Sequence, residues 1–295
     1  MNNKPIVIRM AGGLANRMFQ YCMSLYLRRK GYEVYVDNNY KATKWKMEDI
    51  DWERIFPNAK ILQASNSLIF NYGGGYDCFS KIRRHYLSFT ASVYEMPNAF
   101  YIPSEEDLER SQYLIGIYQS AEMIDEIKDL VVTDFIFSKF TDKSNLDLER
   151  EMRGCNSVAI HVRKGKDYLI RPNYLGTCPM EYYLQAIEYL RKFVKNPRFY
   201  VFTDNQEWVK TNFKGIDYHL VDNNPSIGWG NHFDMQLMSC CKHNIIANST
   251  YSWWGAYLNE NPEKIVIGPK YWFNADMDRY KNLQNKTLSK DWVAL

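Results

Sequence analysis

Ser157-Val-Ala-Ile-His-Val-Arg163 is a largely apolar run ended by a cation, and the chain after it alternates two kinds of segment. A run without polar alternation is a strand buried on both faces, which is how strands in the middle of parallel sheets look. A helix-period segment follows from Met180 to Val194, then an apolar run Arg198 to Asp204, a helix Asn205 to Phe213 and a strand Tyr218 to Val221. The pattern continues with a helix from about His232 to Lys242, a strand Asn244 to Asn248, a helix Ser252 to Asn259 and a strand Lys264 to Gly268. Strand and helix in regular succession predict an α/β, Rossmann-like half with a parallel sheet.

Towards the N-terminus the same logic yields a βαβ opening. Pro5 to Met10 is an apolar strand, Gly12-Gly13 a turn, Asn16 to Lys30 a helix stopped by Gly31, and Glu33 to Val36 a second strand. From Tyr40 to Pro103 the chain is aromatic, irregular and interrupted by Gly73-Gly74-Gly75, a composition that could shape a substrate mouth. The polar segment Thr141 to Arg153 suits a linker, although Leu146 and Leu148 suit a helix equally. The expectation is two domains, 1–150 and 151–295.

Bulk properties narrow the function classes. The 295 residues carry 37 Lys plus Arg against 34 Asp plus Glu, a net of +3, too small a surplus for a protein that lives on nucleic acid. Six cysteines without a C-x-x-C pair suggest neither a zinc ribbon nor a disulfide framework, and favour a reducing compartment. No apolar run approaches the roughly 18 residues of a membrane span and no signal segment is apparent, so the expected location is cytoplasmic. On that reading the sequons at Asn248 and Asn285 are chance matches. No internal repeat is present.

In open parallel sheets ligands bind beyond the carboxyl ends of the strands. The polar groups there are Asn16 and Arg17 after the first strand, His161, Arg163 and Lys164 after the run from Ser157, Asp204 after the next, and Asn248 to Ser252 further on. Arg163 suits a phosphate, or equally a carboxylate partner at a strand end. Ser249, Thr250 and Ser252 suit a helix cap or an anion site. Asp204 suits a ribose or base edge, or a cap. Trp253-Trp254 suits the space between helix and sheet more than a site wall. Gly12-Gly13-Leu14-Ala15-Asn16 has neither the dinucleotide fingerprint nor a P-loop. The acidic pairs Asp49/Asp51 and Asp276/Asp278 follow no clear strand, and the five histidines show no metal-ligand spacing, so no metal is expected.

Four stretches taken in order, Gly12-Gly-Leu-Ala-Asn-Arg-Met-Phe-Gln-Tyr21, His161-Val-Arg-Lys-Gly-Lys-Asp-Tyr168, Phe202-Thr-Asp-Asn with Trp208, and Ile246-Ala-Asn-Ser-Thr-Tyr-Ser-Trp-Trp-Gly-Ala-Tyr-Leu-Asn259, resemble the α-1,2-fucosyltransferases of glycosyltransferase family 11. The likeness runs from Ile6 to about Pro269, including Cys178-Pro-Met-Glu-Tyr-Tyr183. It implies a GT-B-like pair of Rossmann-type lobes, GDP-L-fucose held mainly by the C-terminal lobe, and no metal or cofactor beyond that donor. It carries diphosphate binding onto Arg163 with His161 beside it. Lys164, Asp204, Asn248, Ser249, Thr250 and Ser252 are carried over as donor-binding, and Gly13, Asn16 and Arg17 as the fucose and acceptor side. Two departures stand out. Ala15-Asn16-Arg17 replaces the usual Gly-Asn-Gln, and Lys164 with the extra Lys166 replaces a second Arg, which displaces Asp167.

The implied reaction is an inverting displacement. A 2-hydroxyl of a galactoside attacks the anomeric carbon of GDP-β-L-fucose, forming an α-linkage and releasing GDP. The departing diphosphate needs stabilisation more than the acceptor needs a strong base, so Arg163 is the critical residue, with Asp167 and then His161 as base candidates and Asn16 in the catalytic set. A bacterial surface-glycan precursor is the implied acceptor, and a membrane-borne one would require only peripheral contact at the inner face. Alternatives are an idle nucleotide- or glycan-binding protein and a transferase of another nucleotide sugar.

Overall fold

In the computed structural model, which describes residues 4–39, 50–75, 78–87, 91–165, 176–226, 228–273 and 286–295, the chain forms two units, Met1–Ile136 and Phe137–Leu295. The first is built on strands β1 (Ile6–Arg9), β2 (Val34–Asp37), β3 (Val93–Glu95) and β4 (Tyr113–Ile115), all parallel in the order β2-β1-β4-β3. Between β1 and helix Leu14–Arg29 the chain turns at Gly12, whose φ of 97° belongs to the region that glycine enters without strain. The helix buries Met18, Phe19, Cys22 and Met23. Buried Gln20 reaches back to the strand tips: its Oε1 accepts from the Ala11 amide at 2.8 Å and its Nε2 donates to the Gly116 carbonyl at 2.9 Å.

Where the sequence from Tyr40 to Pro103 showed no period, the described residues hold short helices, Trp52–Ile55, Asn66–Asn71 and Cys78–Tyr86, and the three-residue β3. Elements of so few residues complete too little of a period to register as a pattern. The same holds for β4 and for helix Ala121–Glu126.

Six parallel strands form the second sheet: β5 (Ser157–Val162), β6 (Arg198–Thr203), β7 (Tyr218–Val221), β8 (His243–Ile245), β9 (Val266–Gly268) and β10 (Val293–Ala294), in the order β10-β9-β8-β5-β6-β7. Read from β7, the strands come third, second, first, fourth, fifth, sixth, the Rossmann order, which reverses direction between β5 and β8. The α/β reading with Rossmann-type parallel sheets is therefore what each unit has; β10 escaped notice because two residues carry no period. Val158, Ile160 and Val162 pack under Tyr182, Tyr183, Ile187 and Leu190 of helix Met180–Phe193. On the opposite face Ala159 meets Leu237 and Met238 of helix Phe233–Cys240 and Leu148 and Met152 of helix Lys143–Gly154.

That last contact moves the domain boundary. Thr141 to Arg153 is no linker: Asp142 caps helix Lys143–Gly154, accepting from the Asn145 amide at 2.8 Å, and the helix belongs to the second core. The division lies between Ile136 and Phe137 rather than after residue 150. Trp253 and Trp254 are fully buried in helix Thr250–Tyr257, as core indoles. At Gly255 an added Cβ would sit 2.8 Å from Met238 Cβ, so glycine sets the close approach of this helix to helix Phe233–Cys240. All six cysteines are free, and among the described residues no helix is long and apolar enough to cross a membrane.

Helix Met180–Phe193 also fastens the strand tips. The buried Tyr182 hydroxyl donates to the carbonyls of Ile246 (2.6 Å) and Ile267 (3.1 Å), beyond β8 and in β9, and Tyr183 donates to the His161 carbonyl in β5 at 3.2 Å. Removing such a donor strands buried acceptors, at about 1–3 kcal/mol. Tyr182→Phe is therefore expected to lower the free energy of unfolding in urea by roughly that amount with an unchanged denaturant slope; an unchanged midpoint would mean the tie contributes nothing.

Candidate functional site

The reversal between β5 and β8 opens a crevice at their carboxyl ends. Ile160 pairs with Ile245, so three residues further along Arg163 and Asn248 leave adjacent strand tips. From β6 comes Asp204. Its Oδ2 holds Arg163 Nη1 at 2.5 Å and its Oδ1 accepts from the Lys164 amide at 2.8 Å, so one carboxylate anchors both the guanidinium and the turn that carries it. Asn205 completes the brace, donating to the Lys164 carbonyl at 3.2 Å while capping helix Gln206–Asn212 through the Trp208 amide at 3.0 Å. Of the two roles open to Arg163 at the sequence level, the carboxylate pair is present; Asp204 is that partner and caps no helix.

Lys164 is built differently from its neighbour. Its ammonium donates to Thr177 Oγ1 at 2.8 Å and lies 4.6 Å from the centre of the Trp208 ring, and burial lowers its pKa, with Cys178 and Glu181 acting against that shift. In the sequence Lys164 is a donor-binding candidate; in the structure its ammonium makes these internal contacts. Asn248 likewise spends its amide internally, donating to the carbonyls of Gly176 (3.4 Å) and Trp272 (3.2 Å), and Cys178 Sγ donates to its Oδ1 at 3.7 Å. Ser252 is fully buried and donates to the Ser249 carbonyl at 3.3 Å. Ser249 stands at the N-cap of helix Thr250–Tyr257 without a side-chain cap bond, and Thr250 begins the helix, two residues beyond Asn248 at the tip of β8.

His161, near the end of β5, is buried, and its Nδ1 has no hydrogen-bond partner. Burial, reinforced by the Arg163 charge, pushes its pKa down to about 3, so it is neutral and weakly basic. Beside the tips of β8 and β9 lies a cavity of ≈ 530 Å³, in the size range of small-molecule sites, whose lining includes Thr177, Cys178, Glu181, Asn248, Lys270 and Tyr271. Apart from Asn248 none of these was a sequence candidate; the one signal was the Cys178 to Tyr183 stretch.

In the first unit the tips of β1 and β4 meet where strand order reverses. Gly13 is the exposed N-cap of helix Leu14–Arg29, and Asn16 Oδ1 accepts from Gln119 Nε2 at 3.4 Å. Arg17, expected to face sugar, is buried and donates to the Gly12 carbonyl at 3.0 Å and to Asn38 Oδ1 at 3.4 Å, bracing the turns after β1 and β2. Gln119 and Gln20 were not singled out in the sequence. Asp167, Asp49, Asp276 and Asp278 lie outside the described residues; Asp51 accepts from the Arg54 amide at 3.3 Å as a helix cap. Among the described residues no group of three or more His, Cys, Asp or Glu side chains could hold a metal ion.

The profile of glycosyl transferase family 11 matches residues 95–295, from the end of β3 through the whole second unit. The chain belongs to glycosyl transferase family 11. It is similar to the O-antigen biosynthesis glycosyltransferase WbnK of Escherichia coli, 30% identical over 316 residues that cover 97% of this chain and 99% of that protein. It is also similar to an alpha-1,2-colitosyltransferase of Escherichia coli, 32% identical over 300 residues, 92% of this chain and 93% of that protein. A shorter match joins it to galactoside alpha-(1,2)-fucosyltransferase 1 of Homo sapiens, 33% identical over 107 residues, 34% of this chain and 28% of that protein.

The lowered pKa of His161 has a measurable consequence. The unfolded chain binds a proton on this residue near pH 6.5 and the folded chain near 3, so between those values acidification favours unfolding, with a slope of up to about 1.4 kcal/mol per pH unit. Burial shifts Asp234 the opposite way, up to about 6, which offsets part of the loss below that pH. His161→Gln is expected to lose less stability than the parent between pH 7.5 and 6, in urea titrations at each pH. Equal losses would mean that His161 titrates normally.

Proposed function

We propose that this family 11 chain is an inverting fucosyltransferase that moves L-fucose from GDP-β-L-fucose to the 2-hydroxyl of a galactoside in a bacterial surface-glycan precursor. The observation that carries the reading is the guanidinium of Arg163, held by Asp204 at the strand-order reversal beside the N-terminus of helix Thr250–Tyr257. A planar guanidinium can serve a carboxylate and an oxyanion on different edges, and the helix dipole favours the same negative charge.

The acceptor oxygen attacks the anomeric carbon as the bond to the β-phosphate oxygen breaks, and GDP departs with the bonding pair. Negative charge grows on the diphosphate, so Arg163 and the helix N-terminus act most strongly in the transition state. The acceptor proton leaves late. His161 is a weak base in its buried setting, which favours Asp167 for that step. Asp204 is a positioning residue for Arg163, and Asn16 and Gly13 belong to the acceptor side.

A second reading concerns the donor. The similarity to an alpha-1,2-colitosyltransferase supports colitose as an alternative sugar transferred. A donor panel with GDP release as readout, run against galactose-terminated acceptors, separates the two; release with neither sugar, despite GDP binding, would leave the idle-binding reading.

Arg163→Ala is expected to lower kcat/KM for transfer by about 100-fold or more while the protein remains folded, and retention of full activity would remove Arg163 from the mechanism. Transfer is expected to persist in excess chelator; its loss, restored by a divalent ion, would bring the acidic pairs back as metal ligands.

A further inference from the structure

Helix Cys78–Tyr86 has its faces the other way round from a helix that packs on a core. Its buried residue is Ser80, whereas Phe79, Ile82 and Tyr86 are 58%, 47% and 73% exposed. These positions recur at i, i+3 and i+7 and so form one stripe. Phe70, 52% exposed on helix Asn66–Asn71, stacks on Phe79 with centroids 6.1 Å apart and planes 14° from parallel, which widens the stripe. Isolated exposed apolar residues are ordinary, but a contiguous group on two adjoining helices marks a surface that something covers.

The charge of the patch identifies what. Between Lys60 and Ala91 the sequence places Lys60, Lys81, Arg83 and Arg84 against a single acid, Asp77. Arg83 donates to the carbonyls of Phe70 (2.6 Å) and Asn71 (3.2 Å) with its guanidinium 5.7 Å from the Phe70 ring centre, and Arg84 donates to those of Gly73 (2.8 Å) and Gly75 (2.9 Å). These bonds fasten the helix to the segment behind it, and the formal charge of the stretch from Lys60 to Ala91 is +3. We propose that this surface docks on the anionic headgroup layer of a lipid bilayer. Phe70, Phe79, Ile82 and Tyr86 enter the interface, where aromatic side chains are favoured, and Lys81, exposed on the same helix, faces lipid phosphates. A second copy of the chain is a poorer occupant, because pairing the patch with itself brings like charges together. The proposal stands apart from the transferase reading, since it concerns only this surface.

The test is co-sedimentation of the full chain with vesicles of one part phosphatidylglycerol to three parts phosphatidylcholine, beside vesicles of phosphatidylcholine alone. Binding to the anionic vesicles that weakens with added salt is expected, with little binding to the neutral ones. Phe79→Ser combined with Tyr86→Ser is expected to reduce anionic-vesicle binding by about tenfold or more, and Lys81→Glu by roughly fivefold or more. Transfer to a water-soluble acceptor and GDP affinity stay at parental values in both variants, which also reports that they fold. No binding to anionic vesicles, equal binding by parent and variants, or a parental dimer that Phe79→Ser/Tyr86→Ser dissociates would each overturn the proposal, the last by making the patch a protein interface. None of these results depends on which sugar is transferred.

Discussion

A parallel sheet has to be covered on both faces, because its strands are joined by crossovers and its central strands are apolar throughout. In the second unit that requirement is met by helix Met180–Phe193 on one face of β5 and by helices Lys143–Gly154 and Phe233–Cys240 on the other. Where strand order reverses, between β5 and β8, the connecting loops part and leave backbone groups at the strand tips without sheet neighbours. Those groups need partners, since an unpaired buried carbonyl or amide costs about 1–3 kcal/mol. Tyr182 and Tyr183 supply them from one helix, Asn248 reaches the carbonyls of Gly176 and Trp272, and Asp204 takes the Lys164 amide. The crevice is held open by side chains whose first duty is to satisfy the backbone around it.

Against that background the two adjacent cations of the motif have separate fates. Lys164 turns inward to Thr177 and the Trp208 ring, where a flexible ammonium can lower its pKa and tolerate burial. Arg163 keeps its charge in any setting and stays at the mouth with Asp204, whose side chain is 18% exposed against 28% for the arginine's. In the proposed reaction a guanidinium anchored in this way is oriented before the diphosphate arrives, and an oriented donor needs no reorganisation as charge develops. Lys164 thus strengthens the frame, and in the proposed reaction the phosphate contact falls to the Arg163 guanidinium alone.

The first unit divides its labour in a comparable way. Gln20 and Arg17 tie the tips of β1, β2 and β4, and so set the turn that presents Gly13 and Asn16. Helix Cys78–Tyr86 is instead turned outward, with its apolar stripe unspent on the core. A transferase acting on surface-glycan precursors has to meet a water-soluble nucleotide sugar and, in the proposed setting, an acceptor at a lipid surface, and an inverted amphipathic helix suits the second demand.

By itself the sequence determined the parts whose signals are local. Apolar runs at Ser157 and Arg198, the helix period after Met180 and the glycines at 12 and 31 specified strands, helix and turns, and the ordered motifs pointed to the family and to the strand tips. Only the tertiary structure decided what lies far away along the chain: that Arg17 and Asn248 brace backbone, that Asp204 grips Arg163, that Lys143–Gly154 joins the second core, and that Thr177, Glu181, Lys270 and Tyr271 meet around one cavity. Period and propensity arise from contacts within one or two turns or a strand pair. The partner of a long polar side chain is chosen by which distant carbonyl or carboxylate the packed sheet leaves unsatisfied beside it.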